Sequence, residues 1–389
     1  MGCFQPDIPK EFSYAATANF LSFRYLLTRI VNFNLFTAQI DIKNAFLNGK
    51  LTDDEIYVMA PPGFPNYINK HQILKLQKSL YGLKQSAKIW QDTLTNNIKQ
   101  LNFHQTEMDY CLFQRGSEYI LVHVDDMIIA ATSKENIQNI IDHMSKDFEV
   151  KQIKNDISNT TFNGIQIVRN ENSILIHQRD KIECLRKYID PKMRKPQIPF
   201  SDTKDPNGEI PIDDNLKREY RSVLGQILYI SQCTRPDLAY SVSTLASRTE
   251  KATMNDYTTL LRSVYYLLET QDKSLIFTRE TNDKITIYTD SSYADTTDYK
   301  SSYGYFIYLG ENIIHWKSKK TKTIMTSTYE AELNALLNSL RSLLCLKKIM
   351  PINDTTIKCD NQPVLDSIKT SSINDRSKHL QISFLKIKE

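Results

Sequence analysis

The sequence has no apolar run of about 18 residues, the length at which a transmembrane helix is predicted, so we expect no membrane span. The first residues also lack the basic segment followed by an apolar one that marks a secretory signal peptide. The six cysteines are scattered and form no Cys-x-x-Cys pair, which argues against a disulfide framework or a zinc knuckle and fits a reducing compartment. With 10 Gly and 13 Pro in 389 residues, the chain is not of low complexity.

The numbers of basic and acidic residues are nearly balanced. Lys and Arg number 49 and Asp and Glu number 45, which gives a formal net charge of +4 and a pI near 8.5. This balance excludes a polybasic, histone-like protein but allows a nucleic-acid enzyme with locally basic grooves. At about 100–200 residues per domain, the length predicts two or three domains.

The pattern of hydrophobic residues predicts segments of different secondary structure along the chain. Residues 36–42 are typical of a buried strand, and 119–132 hold two apolar runs around paired aspartates, which predicts a hairpin. The stretch 191–219 carries five prolines and no sustained periodicity, so we predict a linker. Residues 220–270 have helical composition, and from residue 284 strands and helices alternate as in an α/β domain.

Paired carboxylates stand out in the first half. Adjacent strand residues point to opposite faces, so Asp125 and Asp126 cannot both enter a core, whereas a tight turn would expose both. Such a turn can bind Mg²⁺, but from the doublet alone an ordinary Asp-rich turn is the favoured interpretation. Asp41 ends another apolar strand, and with Asp125 it could hold two metal ions about 3.5–4 Å apart, as in-line displacement at phosphorus requires.

Three further acids have a similar pattern in the second half. Asp290 and Asp360 each end a strand-like run, and Glu332 lies in a helical stretch between them. Three such carboxylates could bind two Mg²⁺ ions and position a water for attack on a phosphodiester. From the residues alone, an ordinary strand-end or helix-surface acid is favoured for each of them.

A basic loop follows a strand in the same region. The stretch WKSKKTKT (316–323) has four lysines beside Trp316. It is either a surface that contacts phosphates, with Trp316 as a stacking aromatic, or a solvated basic loop; the two interpretations have equal weight.

Several ordered stretches together resemble a known family. QIDIKNAFLNGKLTDDEIYVMAPPGF, LQKSLYGLKQSAKIW and ILVHVDDMIIAA resemble the reverse transcriptase of copia-type LTR retrotransposons. YRSVLGQILYISQCTRPDLAYSVSTLASR matches the segment that follows the polymerase in that family. TDSSYAD, STYEAELNAL and CDNQPVL then resemble the three motifs of type 1 ribonuclease H. The likeness runs from about residue 20 to the end of the chain.

The resemblance implies an α+β fold with distinct regions. We expect a polymerase palm at 1–190, an antiparallel sheet backed by helices with the fingers largely missing. A Pro-rich linker at 191–219 and a helical thumb or connection at 220–282 should follow. An α/β ribonuclease H-like domain is expected at 283–389.

The resemblance assigns polymerase roles to five residues. Asp41, Asp125 and Asp126 would be the palm carboxylates, with Asp41 and Asp125 bridging two Mg²⁺ ions and Asp126 more peripheral. Phe46 matches the aromatic beneath the deoxyribose, which would exclude a 2′-OH; its alternative is a plain core aromatic. Gln85 matches a glutamine that contacts the incoming nucleotide; its alternative is a solvated helix glutamine.

The resemblance also assigns the ribonuclease H acids. Asp290, Glu332 and Asp360 would bind a second pair of Mg²⁺ ions, and Glu332 rather than Glu330 aligns with the family's acid. The fourth family acid is an Asp, whereas this chain has Gln381. One negative charge would be missing, so we expect weak hybrid cleavage.

Two further departures support a second hypothesis. His123 stands where the family has Tyr before Val-Asp-Asp, which bears on primer positioning. The sequence also starts after the family's fingers and stops inside its last helix. The chain could therefore be a truncated relic that folds and binds nucleic acid without chemistry.

The first hypothesis is RNA- and DNA-directed DNA synthesis combined with degradation of RNA in an RNA–DNA hybrid. Expected partners are an RNA template, a DNA primer, RNA–DNA hybrids, dNTPs and other Gag and Pol products of a virus-like particle, with no membrane. The expected location is the cytoplasmic particle, with the nucleus as a second site. An unrelated metal phosphotransferase is disfavoured by the ordered motifs.

Overall fold

A computed structural model describes residues 5, 7–51, 55–61, 63–64, 73–190, 194–201, 206–280, 282–296, 298–350, 352 and 354–370. The chain divides into two compact units. The first unit comprises Met1–Leu26 and Asn34–Ile157, and the second unit comprises Leu27–Phe33 and Ser158–Glu389. Within the described residues, no helix has both the length and the apolar character needed to cross a membrane.

The first unit is built on a six-stranded sheet in the order β4-β5-β6-β7-β1-β8, and every neighbouring pair is antiparallel. Its helices and strands are α1 (Lys10–Ser13), α2 (Phe20–Asn32, of which the part from Leu27 belongs to the second unit), α3 (Ser86–Lys99), α4 (Lys134–Met144), β1 (Phe36–Ile42), β2 (Tyr57–Met59), β3 (Ile73–Lys75), β4 (His104–Gln105), β5 (Leu112–Arg115), β6 (Glu118–His123), β7 (Asp126–Ala131) and β8 (Val150–Lys154). The predicted antiparallel sheet with helices is therefore confirmed.

Alternation along β1 explains which face of this sheet forms the core. Ala38, Ile40 and Ile42 are fully buried in one cluster with side chains of β7, α3 and α4. Since side chains alternate along a strand, Asp41 lies on the opposite face. Burying each large aliphatic side chain contributes about 1.5–3 kcal/mol, so the register of β1 is strongly fixed.

The second unit contains two four-stranded sheets, ordered β12-β11-β10-β9 and β15-β14-β13-β16, together with a group of helices. Its elements are α5 (Arg179–Glu183), α6 (Asp214–Cys233), α7 (Ala239–Ser247), α8 (Met254–Glu269), α9 (Thr328–Lys347), α10 (Gln362–Thr370), β9 (Thr160–Phe162), β10 (Ile165–Arg169), β11 (Ser173–His177), β12 (Leu275–Thr278), β13 (Ile285–Ser292), β14 (Ser302–Leu309), β15 (Asn312–Lys320) and β16 (Thr355–Lys358).

The division between the units differs from the predicted boundary at residue 190. Strand β11 pairs with β12, with Ser173 opposite Thr278, and this long-range pairing places the strands after Ile157 in the second unit. Helix α6 also begins inside the predicted linker 191–219, because Asp213 accepts a hydrogen bond from the Leu216 N–H (2.8 Å) and caps it. Neither the β11–β12 pairing nor the cap at Asp213 is accompanied by a periodic pattern in the local sequence, so sequence patterning does not predict them.

An ion pair in the Thr-Arg-Pro-Asp stretch stabilises the helical part of the second unit. The Arg235 side chain is 3% exposed and donates to both carboxylate oxygens of Asp237, at 2.9 and 2.7 Å. Its other terminal nitrogen donates to the carbonyl oxygen of Thr270 (3.1 Å), and the Tyr266 hydroxyl donates to Asp237 (2.9 Å). The pair therefore joins the start of α7 to the end of α8.

Removing one member of this pair should be strongly destabilising. Asp237→Ala leaves the buried guanidinium without its carboxylate, so we expect a loss of about 3–5 kcal/mol in the free energy of unfolding, measured by urea titration. The matched control is Asp272→Ala, because Asp272 pairs with Arg179 in solvent and such pairs are worth about 0–1 kcal/mol. Equal losses in the two variants would contradict the prediction.

The same pair sets a pH dependence. Burial opposes ionisation of Asp237, but hydrogen bonds from Arg235 and Tyr266 and the charges of Arg235 and Lys273 hold its pKa below the ordinary value. A carboxyl whose pKa is lower in the folded state stabilises the fold above its unfolded pKa. We therefore expect the difference between wild type and Asp237→Ala to shrink as the pH falls below about 4.

Candidate active sites

The pairing of β1 with β7 brings two of the predicted polymerase aspartates together. Asp41 lies directly opposite Asp126 in the antiparallel register. Directly opposite residues have their side chains on the same face, and here it is the face away from the Ile40 cluster. The two carboxylates therefore project on one side of the sheet, although they are far apart in sequence.

The third aspartate lies in the turn of the hairpin. Val124 and Asp125 connect β6 to β7, and His123 pairs with Asp126 at its base, so the predicted hairpin is confirmed. The Ile42 N–H donates to the carbonyl oxygen of Asp125 (3.0 Å), which holds the turn against the end of β1. All three aspartates are thus located at the same end of the sheet.

Electrostatic repulsion among these acids is apparent at Asp126. Burial, together with the charges of Asp125 and Asp41, raises the pKa of this half-buried carboxyl to about 6, although a hydrogen bond with Gln39 opposes the shift. A divalent cation would relieve this repulsion. Carboxylate oxygens are also the donors that Mg²⁺ and Mn²⁺ prefer, so the residues fit such an ion.

His123 borders the same cluster. Burial lowers the pKa of its imidazole, and the charge of Asp125 only partly opposes that shift. Because an imidazole with a lowered pKa loses its proton at a lower pH, burial favours the neutral ring at this position.

The two predicted nucleotide-binding residues have different environments. Phe46 lies in the 3₁₀ helix Ala45–Asn48 just after β1, is half-buried, and packs edge-on against Tyr81 with ring centroids 5.0 Å apart. Gln85 immediately precedes α3 and is 5% exposed, with its side-chain oxygen accepting from the Gln5 amide (3.3 Å). The alternative of a solvated helix glutamine is therefore wrong for Gln85.

The second unit brings the three ribonuclease-type acids together at one sheet edge. Strands β13 and β16 are parallel, with Tyr288 opposite Lys358. Asp290 and Asp360 each come two residues after this pair, so they lie at the same end of the two strands. Helix α9 packs on this sheet and carries Glu332, which is 6% exposed. The fold thus places the two strand-end acids and the helix acid at the same end of this sheet.

The first turn of α9 distinguishes Glu332 from Glu330. The Glu330 carboxylate accepts hydrogen bonds from the N–H (2.7 Å) and hydroxyl (2.8 Å) of Thr326, so it caps the helix. Glu332 instead accepts from the N–H (3.0 Å) and the hydroxyl (2.6 Å) of Ser291, next to Asp290. Only Glu332 of the two faces the acid cluster.

Burial raises the pKa of Glu332, the hydrogen bonds from Ser291 oppose that rise, and the charges of Asp290 and Asp360 add to it. Cys359 contributes a thiol 3.7 Å from the second oxygen of Glu332. One ligand atom each of Glu332, Cys359 and Asp360 lie within 4.8 Å of one another, a spacing that would suit a shared metal ion.

Ser291 and Cys359 are the site residues that sequence reasoning missed. Each is adjacent in sequence to a predicted acid, Asp290 or Asp360, but nothing local indicates that both side chains turn toward Glu332.

Stacking of Trp316 on a base, one of the two interpretations left open for residues 316–323, is wrong. The Trp316 side chain is 7% exposed and its indole N–H donates to the carbonyl oxygen of Ser231 (3.0 Å), so no face is free for a base. Residues 316–320 belong to strand β15 and not to a loop, and Lys320 at the end of this strand pairs with Asp298 (2.5 Å). Gln381 lies outside the described residues.

An antiparallel sheet with three aspartates at a hairpin end, followed by a second unit with its own acid cluster, defines a reverse transcriptase-like class of protein. The family model described as "Reverse transcriptase (RNA-dependent DNA polymerase)" matches residues 7–191. The chain is 30% identical to the Retrovirus-related Pol polyprotein from transposon RE1 of Arabidopsis thaliana, over 98% of this chain and 26% of that polyprotein. It is 29% identical to the corresponding polyprotein from transposon TNT 1-94 of Nicotiana tabacum, over 97% of this chain and 29% of the relative.

Solved structures give the same fold. The foamy viral protease-reverse transcriptase in complex with an RNA/DNA hybrid is similar with a TM-score of 0.59 at 13% identity, over 96% of this chain and 45% of that one. The related complex with double-stranded DNA has a TM-score of 0.55 at 14% identity, over 96% of this chain and 57% of that one. Residues 7–191 therefore match the reverse transcriptase family model, and nearly the whole chain is similar to Pol polyproteins of copia-type retrotransposons.

Proposed function

We propose that the first unit catalyses template-directed DNA synthesis from dNTPs on an RNA or DNA template. The observation that carries this proposal is the placement of Asp41 opposite Asp126, with Asp125 in the adjoining turn. Polymerases of this class use divalent metal ions. We propose Mg²⁺, two per site, which would activate the primer 3′-hydroxyl and neutralise charge on the leaving pyrophosphate.

The residues of this chain would divide the work. Asp41 and Asp125 would hold the ions between them. Asp126, whose pKa is raised mainly by burial, would be peripheral. Phe46, half-buried beside Tyr81, would pack under the sugar and leave no room for a 2′-OH. Gln85, at the start of α3, would contact the incoming nucleotide.

We further propose that the second unit cleaves the RNA strand of RNA–DNA hybrids. Asp290, Glu332 and Asp360 would hold two divalent ions, and the hydrogen bonds from Ser291 would keep one oxygen of Glu332 in a fixed direction. The partners would be template, primer and hybrid, in a virus-like particle with other Gag and Pol products. The place of action would be the cytoplasmic particle.

Primer extension tests the polymerase proposal. We expect the wild-type chain to extend a DNA primer on a homopolymer RNA template with Mg²⁺ and to stop when EDTA is added. Binding of the primer–template without extension at any Mg²⁺ or Mn²⁺ concentration would instead favour a folded, inactive relic.

Sugar selection tests the role of Phe46. Phe46→Val should raise the ratio of rNTP to dNTP incorporation by about tenfold or more, because it removes a steric contact worth about 1.4 kcal/mol. The control is Phe36→Val, an exposed phenylalanine at the start of β1, the strand that precedes the 3₁₀ helix of Phe46, and it should leave the ratio unchanged. An unaltered ratio in Phe46→Val would return Phe46 to the alternative of a plain core aromatic.

A further inference from the structure

The backbone of the hairpin turn is unusual at Val124. Its φ is +62°, in the left-handed region that β-branched residues rarely adopt. Among the described non-glycine residues with positive φ, Val124 alone is β-branched; the others are Asn34, Asn44, Asn102, Asn159, Asn163, Ala294 and Tyr299. Such a conformation persists only where the surroundings fix it.

A single side chain from α3 provides such a constraint. The indole N–H of Trp90 donates to the carbonyl oxygen of Val124 at 2.8 Å. Trp90 is 2% exposed, belongs to the main core cluster and packs edge-on against Phe148 with ring centroids 5.3 Å apart. The donor is therefore held rigidly by the core of the first unit.

Asp125 is consequently fixed on both sides. The Val124 carbonyl, which belongs to the peptide plane before Asp125, is held by Trp90. The Asp125 carbonyl, in the next plane, is held by the Ile42 N–H. When both flanking planes are fixed, so is the direction in which the Asp125 side chain leaves the backbone.

The space beside the turn is only partly filled. A largely apolar cavity of about 120 Å³ lies there, with Trp90, Val122, Val124 and Phe46 among its lining residues. Side-chain packing around Val124 is therefore incomplete, and the indole N–H adds a directional constraint on the turn.

We propose that Trp90 is a positioning residue for the polymerase site, whose indole N–H holds Val124 at positive φ and thereby aims the Asp125 carboxylate. The inference rests on the proposed polymerase function. Trp90 acts through the backbone of the turn and contacts neither metal nor nucleotide.

The first test is Trp90→Phe, which removes the donor but keeps an aromatic ring in the core. We expect the Mg²⁺ concentration for half-maximal primer extension to rise about tenfold, with unchanged affinity for primer–template. The control is Trp316→Phe in the second unit, which also loses an indole donor to a backbone carbonyl, that of Ser231. An unchanged Mg²⁺ requirement in Trp90→Phe, or an equal shift in Trp316→Phe, would overturn the proposal.

A double-mutant cycle tests the link to the strained backbone. Glycine adopts positive φ without penalty, so Trp90→Phe should shift the Mg²⁺ requirement less in a Val124→Gly background than in wild type. Equal shifts in both backgrounds would mean that Trp90 does not act through the conformation of Val124.

Metal binding separates this inference from the proposed function. Mn²⁺ binding, followed by electron paramagnetic resonance, should be weaker in Trp90→Phe than in wild type. The Mn²⁺ binding that is lost in Asp125→Asn measures how much of the total signal comes from this site. A wild type that binds Mn²⁺ there without extending primers contradicts only the polymerase function, whereas equal binding in Trp90→Phe contradicts the inference.

The wild-type chain provides a check if Trp90→Phe does not fold. The NMR resonance of the Trp90 indole N–H can be assigned by comparison with Trp316→Phe. Its proton should exchange slowly with solvent, and its chemical shift should change when Mg²⁺ is titrated in. The shift should be absent in Asp125→Asn. An indole proton that exchanges rapidly with solvent, with a chemical shift that Mg²⁺ does not change, would overturn the proposal.

Discussion

Asp125→Asn should abolish primer extension, with a loss of at least about a hundredfold, or about 2.7 kcal/mol of transition-state stabilisation. The substitution removes one negative charge where a metal pair would be held but keeps the shape of the side chain. The turn should survive, since its contacts to Trp90 and Ile42 are made by backbone carbonyls. A folded but inactive polymerase unit is therefore the expected result, measured by single-turnover extension together with circular dichroism.

The control for this variant is Asp142→Asn. Asp142 is exposed on α4 and its carboxylate accepts only a surface hydrogen bond from Gln138 among the contacts seen (2.8 Å), so its extension rate should be that of wild type. Hybrid cleavage should also persist in Asp125→Asn, because the second acid cluster is built from other strands. Extension by Asp125→Asn near the wild-type rate would remove the basis for the polymerase proposal.

The placement of Asp41 and of the 125–126 doublet at one end of a sheet could be predicted from sequence because two local patterns coincide there. Apolar alternation along β1 fixes which face carries Asp41, and the doublet at 125–126 interrupts two apolar runs at a turn. Once both strands are assigned to one antiparallel sheet, register alone places Asp41 opposite Asp126. The resemblance to a known family assigned their roles, which local patterning does not provide.

Contacts between distant segments were the part that sequence patterning did not predict. The pairing of β11 with β12 joins strands on either side of the predicted boundary at residue 190. The buried indole of Trp316 has its hydrogen-bond acceptor at Ser231, which is far away in sequence. Gln85 is buried at the start of α3, where the sequence alone allows a solvated glutamine. A tryptophan among lysines has the same local pattern whether it stacks on a base or packs in a core.

Glu332→Gln should abolish hybrid cleavage and leave primer extension unchanged. The amide oxygen can still accept from Ser291, so the local fold should persist while the negative charge between Asp290 and Asp360 is lost. We expect cleavage to fall by at least about a hundredfold over the whole Mg²⁺ range, followed on a labelled RNA–DNA hybrid. Together with Asp125→Asn, this variant would assign one activity to each unit.

The stability of Glu332→Gln gives an independent readout of the same site. Because burial and the neighbouring acids raise the pKa of Glu332 in the folded state, ionising it costs stability, and this cost appears as the pH rises above its unfolded pKa of about 4.3. In EDTA at neutral pH, Glu332→Gln should therefore unfold at a higher urea concentration than wild type, and the difference should vanish near pH 4. The control is Glu330→Gln, which changes only the helix cap and should give no such pH-dependent gain. A Glu332→Gln variant that is less stable than wild type at neutral pH, or that still cleaves hybrids, would show that the carboxylate is a structural group and not part of a metal-binding cluster.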